Sequence, residues 1–222
     1  MVALLLAVDL HRRGRDPQAA LCLALGFEKF NLLFLIPLAL AAHGRKRLLA
    51  WLSLWLAALA GISFALLGPG GFRNYASLLT NPFMDTLLLQ AWNLRALLGN
   101  LGLSGPVSFT VAMLGALLWF VWLIRQVDFD LAVWLAVWFG LLLSWHSYPY
   151  DYALALPLIY LLYRNRCLGA AGFLLVGGMW LHAAPGSRTA VGMTLLALAM
   201  TAEMAWRLRA AGAKRGLEQP RL

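Results

Sequence analysis

The chain has 222 residues, 62% of them apolar and only 12% charged, with a formal charge of +9. Those proportions lie outside the range of soluble globular domains and read as an integral membrane protein. The basic excess does not mark a nucleic-acid binder, because the arginines and lysines fall in short clusters between apolar runs, the pattern that sets membrane topology.

The opening MVALLLAVDL has no basic start and no small-residue cleavage site, so it does not read as a signal peptide. About ten residues cover only half of a hydrocarbon core of roughly 30 Å, so this stretch reads as the tail of a helix that begins before Met1. The clusters HRRGR (11–15), HGRKR (43–47), YRNR (163–166) and the C-terminal RLRAAGAKR are all expected on the cytoplasmic side. Asp9, directly before the first cluster, shares that side. Apolar runs at 48–67, 106–124, 131–145, 152–163, 167–182 and 189–206 then alternate direction, giving one transmembrane domain over residues 1–206 and a basic cytoplasmic tail over 207–222.

Residues 18–42 are the exception. A single helix there would separate HRRGR from HGRKR, whereas two half-helices turning back near FEKFN keep both inside. The re-entrant arrangement leaves fourteen basic residues inside against three outside, Arg73, Arg95 and Arg188, with Lys29 at membrane depth. A lysine at the bilayer centre costs about 2.5–3.5 kcal/mol on insertion scales. Lys29 therefore either pairs or snorkels structurally, or faces a watery cavity. Its neighbour Glu28 points elsewhere on a helix and need not be the partner.

About 38 residues separate the run ending near Leu67 from the one starting near Pro106, and loops of that length are usually functional. FRNYASLL and TLLLQAWNLRALLGNL have helical apolar spacing and read as short helices lying in the interface, with Tyr75 and Trp92 suited to that depth. Arg73 and Arg95 either grip a lipid phosphate, which a guanidinium does with two parallel hydrogen bonds, or anchor to headgroups or to Asp85. Next comes SWHSYPYDYALALPL (144–158), a helix–helix turn made by Pro149 that gathers His146, Tyr148, Tyr150 and Asp151. A carboxylate beside an imidazole serves proton transfer or sugar hydroxyls; the other reading is an aromatic belt with Asp151 as a cap. Cys22 and Cys167 lack metal or disulfide spacing, and His11, His43 and His182 read as loop residues. No zinc signature, phosphate-cradling glycine loop or serine elbow is present, so no metal or cofactor is expected.

RRGRD, FEKFNLLFLIPLAL before a basic loop, NLRALLGNLG and HSYPYDYALALPL, in that order over residues 11–158, resemble glycosyltransferase family 87, polytopic mannosyltransferase-like proteins of the C-type superfamily. The resemblance implies an all-α polytopic membrane bundle with a re-entrant half-helix pair and a long outer loop carrying interfacial helices. It also implies transfer of a mannose-like sugar from a polyprenyl-phosphate donor to a lipid or glycan acceptor, at the outer face of the bacterial inner membrane. Lys29, Arg95 and Arg73 would then hold the donor phosphate. Asn31, Asn93, Tyr148 and Tyr150 would hold sugar or acceptor, with His146 and Asp151 supporting catalysis. The family's general base sits in a first outer loop, which would precede Met1, so the chain is expected to be the C-terminal portion of a longer enzyme. The competing reading is a transporter or lipid flippase subunit, since transporters also use broken helices with intramembrane charge, although no internal repeat is visible. A membrane scaffold without chemistry leaves Lys29 unexplained.

Overall fold

The computed structural model describes residues 2–79, 93–103, 105–144, 151, 154, 156–164 and 202–203. Within them the chain is helical and has no strand. Helix α1 spans Val2–Arg12 and α2 spans Asp16–Gly26, followed by a 3-10 turn over Phe27–Lys29, α3 over Phe30–Leu33 and α4 over Ile36–Ala42. Then come α5 (Lys46–Leu79), α6 (Leu94–Asn100), α7 (Pro106–Ile124), α8 (Phe129–Leu143) and α9 (Leu156–Arg164).

The two basic loops are built alike. After α1, Gly14 takes φ 73° and the Arg15 N–H reaches back to the Leu10 carbonyl at 2.9 Å; after α4, Gly44 takes φ 65° and the Arg45 N–H reaches Leu40 at 2.9 Å. Left-handed glycines of this kind close a helix end by satisfying carbonyls that have lost their helical partners. The same glycines let α2 fold back on α1 and α5 start anew beside α4, and α2 packs along both α1 and α5. The Trp55 indole locks the second of these contacts by donating to the Pro17 carbonyl at 3.1 Å.

Lys46–Gly71 (26 residues) and Pro106–Ile124 (19 residues) are long and apolar enough to cross a membrane, and a third candidate span is the bent pair Asp16–Leu33 with Ile36–Ala42. The pair turns through 105°. The sharp bend falls at Phe34 and Leu35, a turn beyond the FEKFN stretch where the sequence suggests it, while FEKFN itself is the 3-10 step that first interrupts the helix.

Helix α8 is the axis of the bundle. Its N-terminus is capped by Asp128, which accepts from the Leu131 N–H at 2.9 Å. Every residue from Leu131 to Leu143 is buried, because α3, α4, α6, α7 and α9 all pack on it. Lipid tails are as apolar as leucine, so what holds such a helix in a membrane is close packing and interhelical hydrogen bonds rather than transfer out of water. Gly140 is the tightest of these contacts: a β-carbon there would lie 1.8 Å from the Leu32 carbonyl oxygen, so the absence of a side chain is what lets α8 press on the backbone of α3.

In the long loop, FRNYASLL is helical and lies beyond a kink at Gly68, whose backbone (φ 63°, ψ −178°) leaves the helical range, suits glycine and precedes Pro69. Of the second stretch, Leu94–Asn100 forms α6, whose Leu94, Ala96 and Leu97 are buried and which packs on α7 and α8. The run at 167–182, all of 189–206 but residues 202–203, the 207–222 tail, Asp85, Trp92 and Arg188 fall outside the described residues.

Candidate functional site

The far end of α8 carries the polar groups. Its last turn runs into Ser144, whose Oγ accepts a hydrogen bond from Asn31 Nδ2 at 3.0 Å. Beyond the turn, Asp151 forms an ion pair with Lys29 Nζ. Lys29 belongs to the interrupted stretch: it closes the 3-10 turn and has the non-helical angles φ −103°, ψ 56°. From that break Lys29 reaches Asp151 and Asn31 reaches Ser144 at the end of α8.

The pair is asymmetric. The Asp151 side chain is 3% exposed and that of Lys29 is 45% exposed, so the carboxylate is the desolvated member and the ammonium reaches it from the more open side. Glu28 is exposed and pairs with no cation among the described residues; the carboxylate that meets Lys29 is Asp151, 122 positions on. The partner of Lys29 is thus Asp151 and not its sequence neighbour.

Sequence reading assigns Lys29 and Asn31 to one candidate segment and Asp151 to another, and the fold joins the two. No family model matches this chain, and neither does any curated protein or solved structure. The site must therefore be read from its own geometry.

Asn93 is fully buried, and its side-chain oxygen caps α6 by accepting from the Ala96 N–H at 2.9 Å. That bond uses one of the two acceptor lone pairs of the oxygen. Arg95, the second residue of the same helix, is half-buried, whereas Arg73 is exposed on the distal part of α5. His146, Tyr148 and Tyr150 lie outside the described residues. Ser144 and Gly140 are contacts that sequence reasoning misses. The signal for Gly140 is its being the only glycine in the apolar run 131–143, since small residues mark close helix contacts in membranes.

A second cluster sits at the opposite end of α8. His11 and His43 both meet the Phe129 ring edge-on, with centroids 5.0 and 5.9 Å away, and the Arg45 guanidinium lies 5.0 Å over it. His11 Nδ1 is 2.7 Å from Asp16, Arg47 reaches the other Asp16 oxygen at 3.7 Å, and Arg12 pairs with Asp130. Asp130 keeps the Arg12 guanidinium protonated even beyond its ordinary range, by its hydrogen bond first and by its charge second. His43 Nε2 lies 2.9 Å from the Ile124 carbonyl. The clusters from 11–15 and 43–47 are thereby gathered at one end of the bundle, separated from the Lys29 end by the 15 residues of α8, about 22 Å at 1.5 Å per residue.

Proposed function

We propose that the chain supplies the donor-binding part of a membrane glycosyltransferase that takes a mannose-like sugar from a polyprenyl-phosphate donor to a lipid or glycan acceptor at the outer face of the bacterial inner membrane. The observation that supports this reading is the Lys29–Asp151 pair, which joins a cation on an interrupted helix to a buried carboxylate beside Asn31 and Ser144. In this reading residues 18–42 enter and leave from the cytoplasmic side. The basic end of α8 then lies in the cytoplasm, and the Lys29 end opens outward. Lys29 meets the donor phosphate, with Arg95 and Arg73 on the same outer face. As the bond from the sugar to phosphate breaks, negative charge collects on the departing polyprenyl phosphate, and a fixed cation there lowers the barrier. Asp151 and His146 support proton movement from the acceptor hydroxyl, and Asn31, Tyr148 and Tyr150 hydrogen-bond sugar or acceptor.

The experiment is binding of radiolabelled polyprenyl-phosphate mannose to the purified protein in lipid nanodiscs. Saturable binding that weakens about tenfold in Lys29→Met, the loss of roughly one charge-assisted contact, and only partly in Lys29→Arg is the expected result. No saturable binding, or equal binding by Lys29→Met, overturns the reading.

The bent pair at 105° also favours a second reading, a transporter or lipid flippase subunit, because broken helices beside a buried charge pair line transport sites. Proteoliposomes separate the two: a flippase moves a fluorescent polyprenyl phosphate between leaflets, whereas a transferase leaves it in place.

A further inference from the structure

We infer that the basic end of the bundle is a binding surface for anionic phospholipid headgroups, with a phosphate seated among Arg15, Lys46 and Arg125 and an acyl chain lying along the outer face of α7.

The cations at this end fall into two sets. Asp130, Asp9 and Asp16 take up Arg12, Arg13 and Arg47, and Arg45 is committed to the Phe129 ring. Arg15, Lys46 and Arg125 are exposed and have no carboxylate partner among the described residues. They come from three separate segments. The Arg47–Asp16 contact draws the start of α5 to the residue after Arg15, and the His43–Ile124 contact draws the end of α4 to the residue before Arg125. The fold thus concentrates surplus positive charge that the linear sequence spreads over more than a hundred positions.

Position relative to apolar surface identifies the ligand. Arg125 stands seven residues beyond Leu118, so the two share a face of one helical path, and Leu118, Leu114, Val111 and Val107 continue that face with exposures of 71, 56, 65 and 74%. On α5 the exposed Leu54 lies seven residues after Arg47 in the same way. Helix α4 packs on both α5 and α7 and is itself only Ile36–Ala42, so the cations form a rim above open apolar flanks. A phosphate attached to acyl chains satisfies both features at once; a nucleic acid or an acidic peptide satisfies the rim only. A juxtamembrane cation near an anionic leaflet contributes on the order of 1 kcal/mol.

The test is native mass spectrometry of the protein released from bilayers of equal phosphatidylglycerol and phosphatidylcholine, together with thermal unfolding in the presence of each lipid. Phosphatidylglycerol should be retained at least tenfold over phosphatidylcholine, and the preference should fall when salt is raised from 0.1 to 0.5 M, since exposed charge is screened. The triple variant Arg15→Gln/Lys46→Gln/Arg125→Gln should lose the preference, and Arg125→Gln alone should reduce it by about threefold. Arg13→Gln, which removes a paired cation, should leave it intact. Inorganic phosphate at millimolar concentration should not raise the unfolding temperature. Equal retention of the two lipids by the parent protein, or an undiminished preference in Arg125→Gln, overturns the proposal, as does stabilisation by inorganic phosphate that matches that by phosphatidylglycerol.

Discussion

Lys29 and Asp151 differ in what each loses when the other is removed. Lys29→Met strands a carboxylate that is 3% exposed, and a buried charged acceptor left without its donor costs about 1–3 kcal/mol or more. Asp151→Asn leaves an ammonium that is 45% exposed and can turn to water or headgroups, so the loss should be smaller. Unfolding by SDS in mixed micelles should rank Lys29→Met below Asp151→Asn, with the double variant recovering part of the difference; the reverse order would mean that the cation is the desolvated partner. Gly140 gives a second residue-scale prediction. There is no free space at this contact, since a β-carbon would meet the Leu32 carbonyl oxygen at 1.8 Å, so Gly140→Ala must separate α8 from α3. Overpacking of this kind costs about 1–3 kcal/mol. Because Asn31 and Ser144 flank the contact, donor binding should weaken along with stability; unchanged unfolding in Gly140→Ala would show that the two backbones can part freely.

At the scale of elements, the informative unit is α2 to α4 with its glycine-closed neighbours. Gly14 and Gly44 end α1 and α4 in the same geometry, and the segments they turn, 11–15 and 43–47, converge on Phe129. A straight helix over 18–42 would set those segments apart by its full length; the chain instead breaks at 27–29 and bends by 105° between Leu33 and Ile36. Cysteines introduced at Arg13 and Arg45 in intact cells should therefore both resist a membrane-impermeant thiol reagent and both react after permeabilisation. Labelling of one from outside would overturn the proposed re-entrant arrangement and, with it, the proposed outward opening of the Lys29 end.

For the whole molecule, the distribution of apolar surface inverts the soluble pattern. Helix α8 is apolar and buried all round, while α5 and α7 leave Leu66, Leu67, Val107 and Leu118 exposed at 80, 66, 74 and 71%. A photoactivatable reagent dissolved in the bilayer should modify peptides from α5 and α7 heavily and spare Trp134 and Trp138 of α8. Equal labelling of α8 would mean that its cover of surrounding helices does not exist in the membrane.

Composition and charge clustering by themselves determined a helical, membrane-type chain and several element bounds: the run at 106–124 coincides with α7, and 131–145 lies within two residues of α8 at each end. Hydropathy is a local property, so it is legible in one dimension. The oddity of Lys29 was legible for the same reason, because a charge in an apolar run is costly wherever the chain folds. Its partner was not. Glu28 is adjacent in sequence yet points elsewhere, and Asp151 becomes the neighbour only when the break at 27–29 and Asp151 itself, 122 positions on, have been brought together. The same holds for Asn31 with Ser144, for Gly140 with Leu32, and for Phe129 beneath two histidines and an arginine. Each joins segments whose spacing carries no periodic signal, and only tertiary packing, which selects contacts by shape and by the need to satisfy buried polar groups, decides them.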